Sequence, residues 1–209
     1  MKIVSYNIHK GMDANNKITL GKISKYLKDL DADVICLQEV LYPQFAKLKS
    51  DLKMDGVFAA NVIKPGVMYG ICIFSNKEIY NNEHILLTSK NEQRGFLNAN
   101  IFSKYGKMNI INTHLGLDKY ERKTQINEIL SYLYNVEGKS IICGDFNEKN
   151  ISLSNYNDMA VYTGKYDVCT FFKTDARIDY IFIDKLIIID DYVVGKIKLS
   201  DHYPIIGKI

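Results

Sequence analysis

The stretch Ile141–Asn147, Ile-Ile-Cys-Gly-Asp-Phe-Asn, joins an apolar run to a polar end. Its β-branched start predicts a buried strand. Asp145 and Asn147 follow two residues apart, so an extended backbone would point both side chains the same way. A strand that ends in an ordinary turn is the alternative, because Gly, Asp and Asn are common turn residues. The polar end points to function because the same pattern, an apolar run followed by polar side chains, recurs along the chain.

Four further apolar runs end in polar side chains that can bind a cation or move a proton. These side chains belong to Asn7, Glu39, His114, and Asp201 with His202. Asp179 is a related case, because it lies in an apolar, β-rich segment where an unpaired charge is costly. Carboxylates, amides and imidazoles without paired cysteines suit a hard cation such as Mg²⁺ or Mn²⁺. Histidine also suits proton transfer near neutral pH.

Hydrophobic periodicity predicts more strands than helices. Helical spacing occurs at Ile23–Leu30 behind a Thr19 cap, from Pro43 to about Lys53, and at about Lys119–Tyr134 behind an Asp118 and Glu121 capping box. Strands are predicted at Lys2–Ile8, Asp33–Leu37, Val57–Val62, Gly70–Ser75, Ile79–Leu87, Gly95–Phe102, Lys107–Asn112, Ile178–Ile183 and Leu186–Val194. We therefore expect an α/β (α+β) sandwich of two packed, mostly antiparallel or mixed β-sheets with helices outside.

Composition predicts an ordinary globular protein with one domain over residues 1–209. The chain is 47% hydrophobic and 24% charged, and its net charge of +3 comes without a basic run, which does not by itself indicate nucleic-acid binding. The four cysteines lack C-x-x-C spacing, so free thiols in a reducing compartment are expected. With neither an apolar leader nor a membrane-length apolar run, we expect a cytoplasmic monomer.

Six short motifs in a fixed order give the chain a specific resemblance. They are Tyr-Asn-Ile at residues 6–8, Leu-Gln-Glu-Val at 37–40, Thr-His-Leu at 113–115, Gly-Asp-Phe-Asn at 144–147, Arg-Ile-Asp-Tyr-Ile at 177–181 and Ser-Asp-His-Tyr-Pro-Ile at 200–205. This order resembles the endonuclease/exonuclease/phosphatase superfamily, which includes deoxyribonuclease I, abasic-site endonucleases, neutral sphingomyelinases and deadenylases. The resemblance implies a four-layered sandwich with the active site at one end of two facing sheets.

The resemblance also implies roles for matching residues at a metal site. Glu39 matches the principal metal ligand, which Asn7 assists, and Asp201 matches a carboxylate at or near the metal. The implied cofactor is Mg²⁺ or Mn²⁺. His9 lies two residues beyond Asn7 on the predicted strand, and a neutral imidazole binds Mg²⁺ poorly. We expect His9 to contact substrate, with a plain surface position as the alternative.

Five other positions match residues that act on the phosphate in this superfamily. Asp145 and Asn147 match the pair that handles the attacking water and the phosphate oxygens. His202 matches the histidine at the scissile phosphate, and Asp179 matches the carboxylate that orients it. His114 matches a second histidine of the deoxyribonuclease-like and sphingomyelinase-like branches.

Three arginines and one histidine lie outside these matches. Arg94 resembles an arginine of many bacterial relatives, and we expect it to bind phosphate, with a surface ion pair as the alternative. In deoxyribonuclease I a glutamate near this region orients the first histidine, whereas here Gly95 takes that place and Glu92 is the substitute. Arg122 is expected on a helix surface, Arg177 in an ion pair near the site, and His84 in a structural or exposed position.

The resemblance implies a divalent-metal-dependent hydrolase of a phosphodiester or phosphomonoester. The chain contains no tryptophan and has Val-Leu after Gln-Glu, which separates it from the abasic-endonuclease branch. We therefore expect a small or lipid-headgroup phosphodiester as substrate, with a non-specific endonuclease or exonuclease on DNA or RNA as the alternative. A catalytically silent binding module of the same fold is the alternative from another class.

Overall fold

The computed structural model describes all residues 1–209 and consists of two six-stranded β-sheets packed face to face. The first sheet has the spatial order β11 (Asp191–Val194), β12 (Ile205–Lys208), β1 (Lys2–Asn7), β2 (Val34–Leu41), β4 (Val67–Ser75) and β3 (Asp55–Lys64). The second sheet has the order β5 (Asn81–Leu87), β6 (Arg94–Ser103), β7 (Gly106–His114), β8 (Lys139–Asp145), β10 (Asp179–Asp184) and β9 (Tyr156–Asp158).

Four helices complete the layers, and three separate apolar cores hold those layers together. The helices are α1 (Leu20–Leu30), α2 (Tyr42–Leu52), α3 (Lys119–Tyr134) and α4 (Met159–Tyr162). One core lies between the sheets, a second includes side chains of α1 and α2 against the first sheet, and a third includes α3 against the second sheet. Burying each of these large apolar side chains stabilises the fold by ~2 kcal/mol. The predicted four-layered α/β sandwich is confirmed.

The register of the strands brings their polar ends to one edge of the molecule. β1 and β2 are parallel, with Asn7 beside Gln38, and β7 and β8 are parallel, with His114 beside Asp145. β10 runs antiparallel to β8, so that its first residue, Asp179, pairs with Asp145. Because parallel strands end at the same edge of a sheet, residues distant in sequence meet there.

The strand predicted over Leu186–Val194 is wrong in its first half, because only Asp191–Val194 pairs with a neighbour. Ile187 and Ile189 are buried, whereas Leu186 and Ile188 are exposed, so buried and exposed side chains do alternate along this segment. Alternation reports which side chains are buried and does not report backbone pairing. The short strand β9 was missed because its three residues carry no apolar pattern.

Helix ends agree closely with the predicted positions but differ in their capping. Asp118 accepts a hydrogen bond from the Glu121 backbone N–H at 2.9 Å, whereas the Glu121 carboxylate accepts from the Lys90 N–H and from Gln125. The predicted capping box is therefore half formed. The Thr19 hydroxyl contacts the carbonyls of neighbouring loops and does not cap α1. None of the helices has the length and apolar character needed to span a membrane.

Candidate active site

Asp145 lies at the centre of a polar cluster where β1, β7 and β8 end and β2 bulges. Its Oδ2 atom lies 3.0 Å from Asn7 Nδ2, 3.6 Å from His114 Nε2 and 3.5 Å from His202 Nε2. The residue is 1% exposed. Burial, partly offset by His202 and reinforced by Asp179, raises the pKa of Asp145 to about 6. Three other segments of the chain therefore contribute polar atoms around one carboxylate oxygen.

Gly144 lets β8 approach β7 closely enough to bring Asp145 to this position. A Cβ atom at residue 144 would lie 2.0 Å from the carbonyl oxygen of Thr113, and the φ angle of Gly144 is +150°. β8 then ends at Asp145, whose Oδ1 accepts the Asn147 backbone N–H at 2.9 Å. This is the side-chain-to-backbone bond of an Asx turn.

The expectation that Asp145 and Asn147 share one strand face is wrong. Asn147 has a φ angle of +51°, so the backbone turns away from the strand direction after Asp145. The Asn147 amide Nδ2 donates to the Leu115 carbonyl at 2.9 Å, which ties the turn to the loop that follows His114. Asparagine tolerates this left-handed conformation better than most residues.

Glu39 reaches the cluster through a β-bulge in β2. The register of β2 against β4 shifts between Leu37 and Val40, and Glu39 has a φ angle of +56°. The Glu39 Oε1 atom accepts a hydrogen bond from Asn7 Nδ2 at 3.2 Å. The sequence predicted a strand that ends at Leu37, whereas β2 continues to Leu41. The bulge turns the carboxylate toward the site without ending the strand.

Gln38 and Asn112 connect the two sheets directly beneath the site. Gln38 Nε2 donates to Asn112 Oδ1 at 2.7 Å, and Asn112 Nδ2 donates to the carbonyls of Leu37 and Cys72, each at 2.9 Å. Both side chains are fully buried, so these bonds fix how the sheets face each other. The sequence did not predict this link between the sheets. Gln38 stands out only as the neighbour of Glu39, and Asn112 only as the last residue of a predicted strand.

His202 and Asp179 form a buried ion pair. The His202 Nδ1 atom lies 2.9 Å from Asp179 Oδ2, and the side chains are 6% and 1% exposed. Burial opposes the charge on the imidazole, but the carboxylates of Asp179 and Asp145 outweigh that effect and raise the pKa of His202 to about 10. His202 is therefore an imidazolium at neutral pH, with its Nε2–H directed at Asp145. The ring of Phe171 packs on it at 4.7 Å between centroids.

This ion pair predicts how the stability of the metal-free protein depends on pH. The raised pKa of His202 gives stability that is complete below its ordinary pKa of 6.5 and is lost as pH rises through about 10. We expect the free energy of unfolding by urea, measured in chelator, to fall between neutral pH and about pH 10, with His202 contributing on the order of 3 kcal/mol. The variant His202→Gln should lack this contribution.

His84→Gln provides the matched control for that measurement. His84 is exposed and its Nε2 lies 2.9 Å from Asn61 Oδ1, away from any carboxylate of the site. Its substitution should leave the pH dependence of unfolding as in the wild type. An unchanged slope in His202→Gln would contradict the assignment of the buried charge to this pair.

Asp201 lies between a lysine and a histidine at the rim of the site. Its Oδ2 lies 2.9 Å from Lys173 Nζ, and its Oδ1 lies 3.8 Å from His9 Nδ1. Although burial opposes ionisation, the Lys173 ammonium and nearby imidazoles lower the pKa of Asp201. Lys173 and Phe171 were not identified from the sequence, because neither belongs to a matching motif and lysine is frequent throughout the chain.

The expected strand position of His9 is wrong. β1 ends at Asn7, and His9 begins a single 3-10 turn with a φ angle of +45°. The turn is held because Asn7 Oδ1 accepts the His9 backbone N–H at 3.0 Å. His9 nevertheless reaches the site, since this turn folds its ring back toward Asp201.

Arg94 contacts the second histidine of the site. Its Nη1 lies 3.2 Å from His114 Nδ1 and 2.8 Å from Glu92 Oε1. Arg94 and His114 are 7% and 6% exposed. Burial and the Arg94 guanidinium lower the pKa of His114 well below its ordinary value. Glu92 therefore reaches the arginine and not the histidine.

The two remaining arginines hold the scaffold around the site. The prediction that Arg122 lies on a helix surface is wrong: it is 8% exposed, pairs with Glu148 and donates to the Gly116 carbonyl at 3.1 Å. Arg177 pairs at 2.8 Å with Asp158, which belongs to β9 at the edge of the second sheet. An arginine that fits a helical surface position can also be buried when a neighbouring loop supplies a carboxylate.

The donor set of the site fits a hard divalent cation. Carboxylates of Glu39, Asp145, Asp179 and Asp201 converge there, and the buried Asp179 Oδ1 has no hydrogen-bond partner. The side chains of Asp145, Asp179 and His202 lie within 4.8 Å of one another, and because the His202 imidazolium has no free lone pair, the carboxylates are the cation ligands of this group. Oxygen ligands of this kind are those that Mg²⁺ and Mn²⁺ prefer, whereas thiolate ligands are missing from the set.

Comparisons with known proteins agree with this architecture. The chain is 26% identical to Uncharacterized protein YbhP of Escherichia coli (strain K12), over 70% of this chain and 66% of that protein. It is 28% identical to the Exodeoxyribonuclease of Bacillus subtilis (strain 168), over 74% of this chain and 62% of that protein. The chain thus spans just under two thirds of the length of these relatives.

Solved structures share the fold at low sequence identity. An endonuclease/exonuclease/phosphatase from Beutenbergia cavernae superposes with a TM-score of 0.84 at 17% identity, over 99% of this chain and 70% of that one. TDP2 of D. rerio, complexed with a single strand DNA product, superposes with a TM-score of 0.80 at 20% identity, over 99% and 97% of the chains. The model of the Endonuclease/Exonuclease/phosphatase family matches residues 4–202, so the chain belongs to that family.

Proposed function

We propose that this protein is a divalent-metal-dependent phosphoesterase that cleaves a phosphodiester or phosphomonoester by direct attack of water. The arrangement around Asp145 supports the proposal most strongly, because one partly basic carboxylate lies within 3.6 Å of two imidazole nitrogens. A carboxylate with a pKa of about 6 is ionised at neutral pH and still basic enough to accept a proton. A general base and a cationic donor are thus placed side by side.

Asp145 acts as the base in this scheme. Its Oδ1 is held by the Asn147 N–H, and its Oδ2, which accepts one hydrogen bond from Asn7 Nδ2, has a second lone pair for the proton of the attacking water. The water oxygen forms a bond to phosphorus as the bond from phosphorus to the leaving oxygen breaks. The Asn147 backbone N–H thereby positions the base, and its side-chain amide keeps the loop after His114 in place.

His202 supplies the opposing proton. Asp179 accepts the hydrogen bond from Nδ1 and keeps the ring charged, so Nε2–H faces the reacting phosphate. The same proton can stabilise a phosphate oxygen or pass to the leaving oxygen, which then departs as an alcohol. His9 and Lys173, on either side of Asp201, would contact the remaining phosphate oxygens at the rim.

Glu39, assisted by Asn7 and Asp201, would hold Mg²⁺ or Mn²⁺. When bound, the cation neutralises the anionic ester and stabilises the charge that grows in the transition state. Asn7 already contacts both Glu39 and Asp145, so it fixes the distance between the metal-binding side and the base.

Two short connections at the site end favour a small or lipid-headgroup phosphodiester. Only Pro65 and Gly66 separate β3 from β4, and four residues, 115–118, separate β7 from α3. Specific protein–DNA interfaces bury on the order of 1,000 Å² or more of protein surface, which short loops provide poorly. A net charge of +3 also gives weak attraction to a duplex backbone.

Non-specific cleavage of DNA or RNA is the second candidate function. It is favoured by the similarity to the Bacillus subtilis Exodeoxyribonuclease and by the shared fold with TDP2, which was solved with a single strand DNA product. Single strands require a narrower contact surface than duplexes do, so short loops oppose this function less than they oppose duplex recognition.

A substrate panel with and without chelator tests these proposals. The panel contains bis-p-nitrophenyl phosphate, phosphatidylcholine and sphingomyelin vesicles, single- and double-stranded DNA, RNA and inositol phosphates. We expect metal-dependent cleavage of the small or lipid diesters to exceed nucleic-acid cleavage, and ¹⁸O from labelled water to appear in the phosphate product. Faster cleavage of single-stranded DNA would establish the second function, and inertness toward every ester with Mg²⁺ or Mn²⁺ would identify a silent binding module.

A further inference from the structure

Arg94 and His114 form a contact whose donor and acceptor roles are fixed by chemistry. Arginine has five N–H donors and no acceptor, and it stays protonated in proteins. The ring nitrogen that faces it, His114 Nδ1 at 3.2 Å, must therefore present a lone pair to form the hydrogen bond. A neutral imidazole with a lone pair on Nδ1 carries its proton on Nε2.

We propose that Arg94 is a positioning residue that locks His114 as the neutral Nε2–H tautomer and aims that proton at the phosphate. The Nε2 atom lies 3.6 Å from Asp145 Oδ2, on the same side as the Nε2 of His202. The tautomer assignment follows from the contact between Arg94 and His114 Nδ1 and does not depend on the proposed function. The role of His114 as a donor to phosphate also depends on the proposed phosphoesterase function.

The surroundings of Arg94 hold it in the orientation that the lock requires. Arg94 is the first residue of β6, which pairs with β7 through Phe96 and Thr113, so Arg94 lies beside the end of β7 where His114 is located. Glu92 binds the same guanidinium nitrogen at 2.8 Å and neutralises its charge. The Arg94 backbone N–H donates to Ser89 Oγ at 2.9 Å, which fixes the start of the strand. Arg94 is thus held at its backbone by Ser89 and at its guanidinium by Glu92.

With the His114 tautomer fixed by Arg94, the two histidines of the site have different roles. His202 faces the carboxylate Asp179 through Nδ1 and carries a proton on both nitrogens. His114 faces a cation through Nδ1, and a second proton there would point at the N–H group of Arg94. His202 is therefore the proton donor of the reaction, and His114 is a fixed neutral hydrogen-bond donor. A carboxylate in the place of Arg94 would impose the opposite tautomer on His114.

Nitrogen NMR of the histidine rings tests the tautomer directly. The chain has four histidines, so two-bond ¹H–¹⁵N spectra of the labelled protein are simple, and His114→Gln identifies the His114 signals by their loss. A ring nitrogen without a proton resonates far downfield of one that carries a proton. We expect the wild type, near neutral pH in chelator, to show an unprotonated Nδ1 and a protonated Nε2 for His114. The reverse pattern, or a doubly protonated ring, would overturn the proposal without any activity measurement.

Two substitutions at residue 94 connect the tautomer to its cause. Arg94→Lys keeps a donor and should retain the Nε2–H tautomer, whereas Arg94→Met should give a mixture of tautomers. Arg122→Met is the matched control, since both arginine side chains are 9% exposed and each pairs with a glutamate. The control should unfold more easily than the wild type but leave the His114 spectrum unchanged. If Arg94→Met retains a pure Nε2–H tautomer, Arg94 does not set it and the proposal is wrong.

Activity provides the second readout once a substrate is known. We expect Arg94→Met to lower kcat ~10-fold to ~100-fold with a smaller effect on KM, because a misplaced donor weakens transition-state contacts more than substrate binding. Arg94→Lys should restore most of the loss. A rise in KM alone would show that Arg94 binds substrate phosphate itself, which contradicts the positioning role. If no substrate is cleaved, the proposed function fails while the tautomer measurement stands.

Discussion

Asp145→Asn should lower kcat for phosphoester hydrolysis ~10³-fold, with little change in the fold. Asparagine retains an oxygen that can accept the Asn147 N–H, so the turn after β8 is preserved. It cannot accept a proton from water, because an amide is far less basic than a carboxylate. The loss should appear in kcat and in kcat/KM alike, since the base acts only as the transition state forms. Steady-state kinetics at saturating Mg²⁺ or Mn²⁺ measure this effect.

Asp158→Asn is the matched control for a buried carboxylate outside the proposed chemistry. The Asp158 side chain is 8% exposed and pairs with Arg177 at the edge of the second sheet. Its substitution should cost stability through the broken ion pair and leave kcat within a few-fold of the wild type. Full activity in Asp145→Asn would show that another group activates the water, and the scheme built on Asp145 would have to be abandoned.

Glu39→Gln should remove the response of the protein to divalent cations and lower kcat ~10³-fold. In the wild type, Mg²⁺ or Mn²⁺ at about one hundred times its dissociation constant should raise the melting temperature by ~5–10 °C, because the ion binds only the folded state. A neutral amide in the bulge of β2 removes one negative charge from the metal-binding side. The variant should therefore melt at the same temperature with and without the cation. Differential scanning calorimetry of samples with chelator and with the cation measures the two melting temperatures, and steady-state kinetics measure kcat.

Glu137→Gln controls for the loss of a carboxylate elsewhere on the surface. Glu137 pairs with Lys107 near the start of β7, and exposed pairs of this kind contribute little stability. Its substitution should leave the cation-dependent shift and kcat unchanged. If Glu39→Gln retains the full shift, the cation is held by other carboxylates, and Asp145 and Asp179 become the candidates.

Motif order and periodicity predicted which strands carry polar ends, and the paired register of the strands explains why these ends meet. Asp145 and Asp179 are adjacent because β8 and β10 pair residue by residue. The helix α3 was predicted at its observed ends, since its apolar stripe and the Asp118 cap are both local signals. Such signals involve residues within one or two helical turns of each other, so they can be read from the sequence without knowledge of the tertiary structure.

Backbone reversals within the site were not predictable in the same way. Glu39, Asn147 and His9 all adopt positive φ angles. Asn147 and His9 were expected to continue an extended strand, and Glu39 was expected just after a strand end. Non-glycine residues take this conformation only where the surrounding structure requires it. Here the requirement comes from distant partners, such as Asn7 for the turn at His9. A single sequence shows the residue type but not the partner that bends the backbone.

Buried cations were the other source of error. Arg122 fitted an exposed helical position, but it is buried and pairs with Glu148. The expected contact of Arg94 with phosphate stays a prediction, and the guanidinium faces Glu92 and His114 in the structure. Lys173 gave no signal at all, because its partner Asp201 is distant in sequence. Charge pairing across loops depends on loop conformation, which periodicity does not encode.

The glycine at position 144 places a limit on how the proposed catalytic site can diversify. Because the backbones of β7 and β8 touch at that point, the spacing of His114 and Asp145 is dictated by main-chain geometry, and the side chains around them cannot tune it. Laboratory evolution toward new esters should therefore collect its beneficial substitutions in the rim loops, such as the segment that carries Phe171 and Lys173. Substitutions of Gly144 should be eliminated by selection in every lineage, whichever ester is supplied.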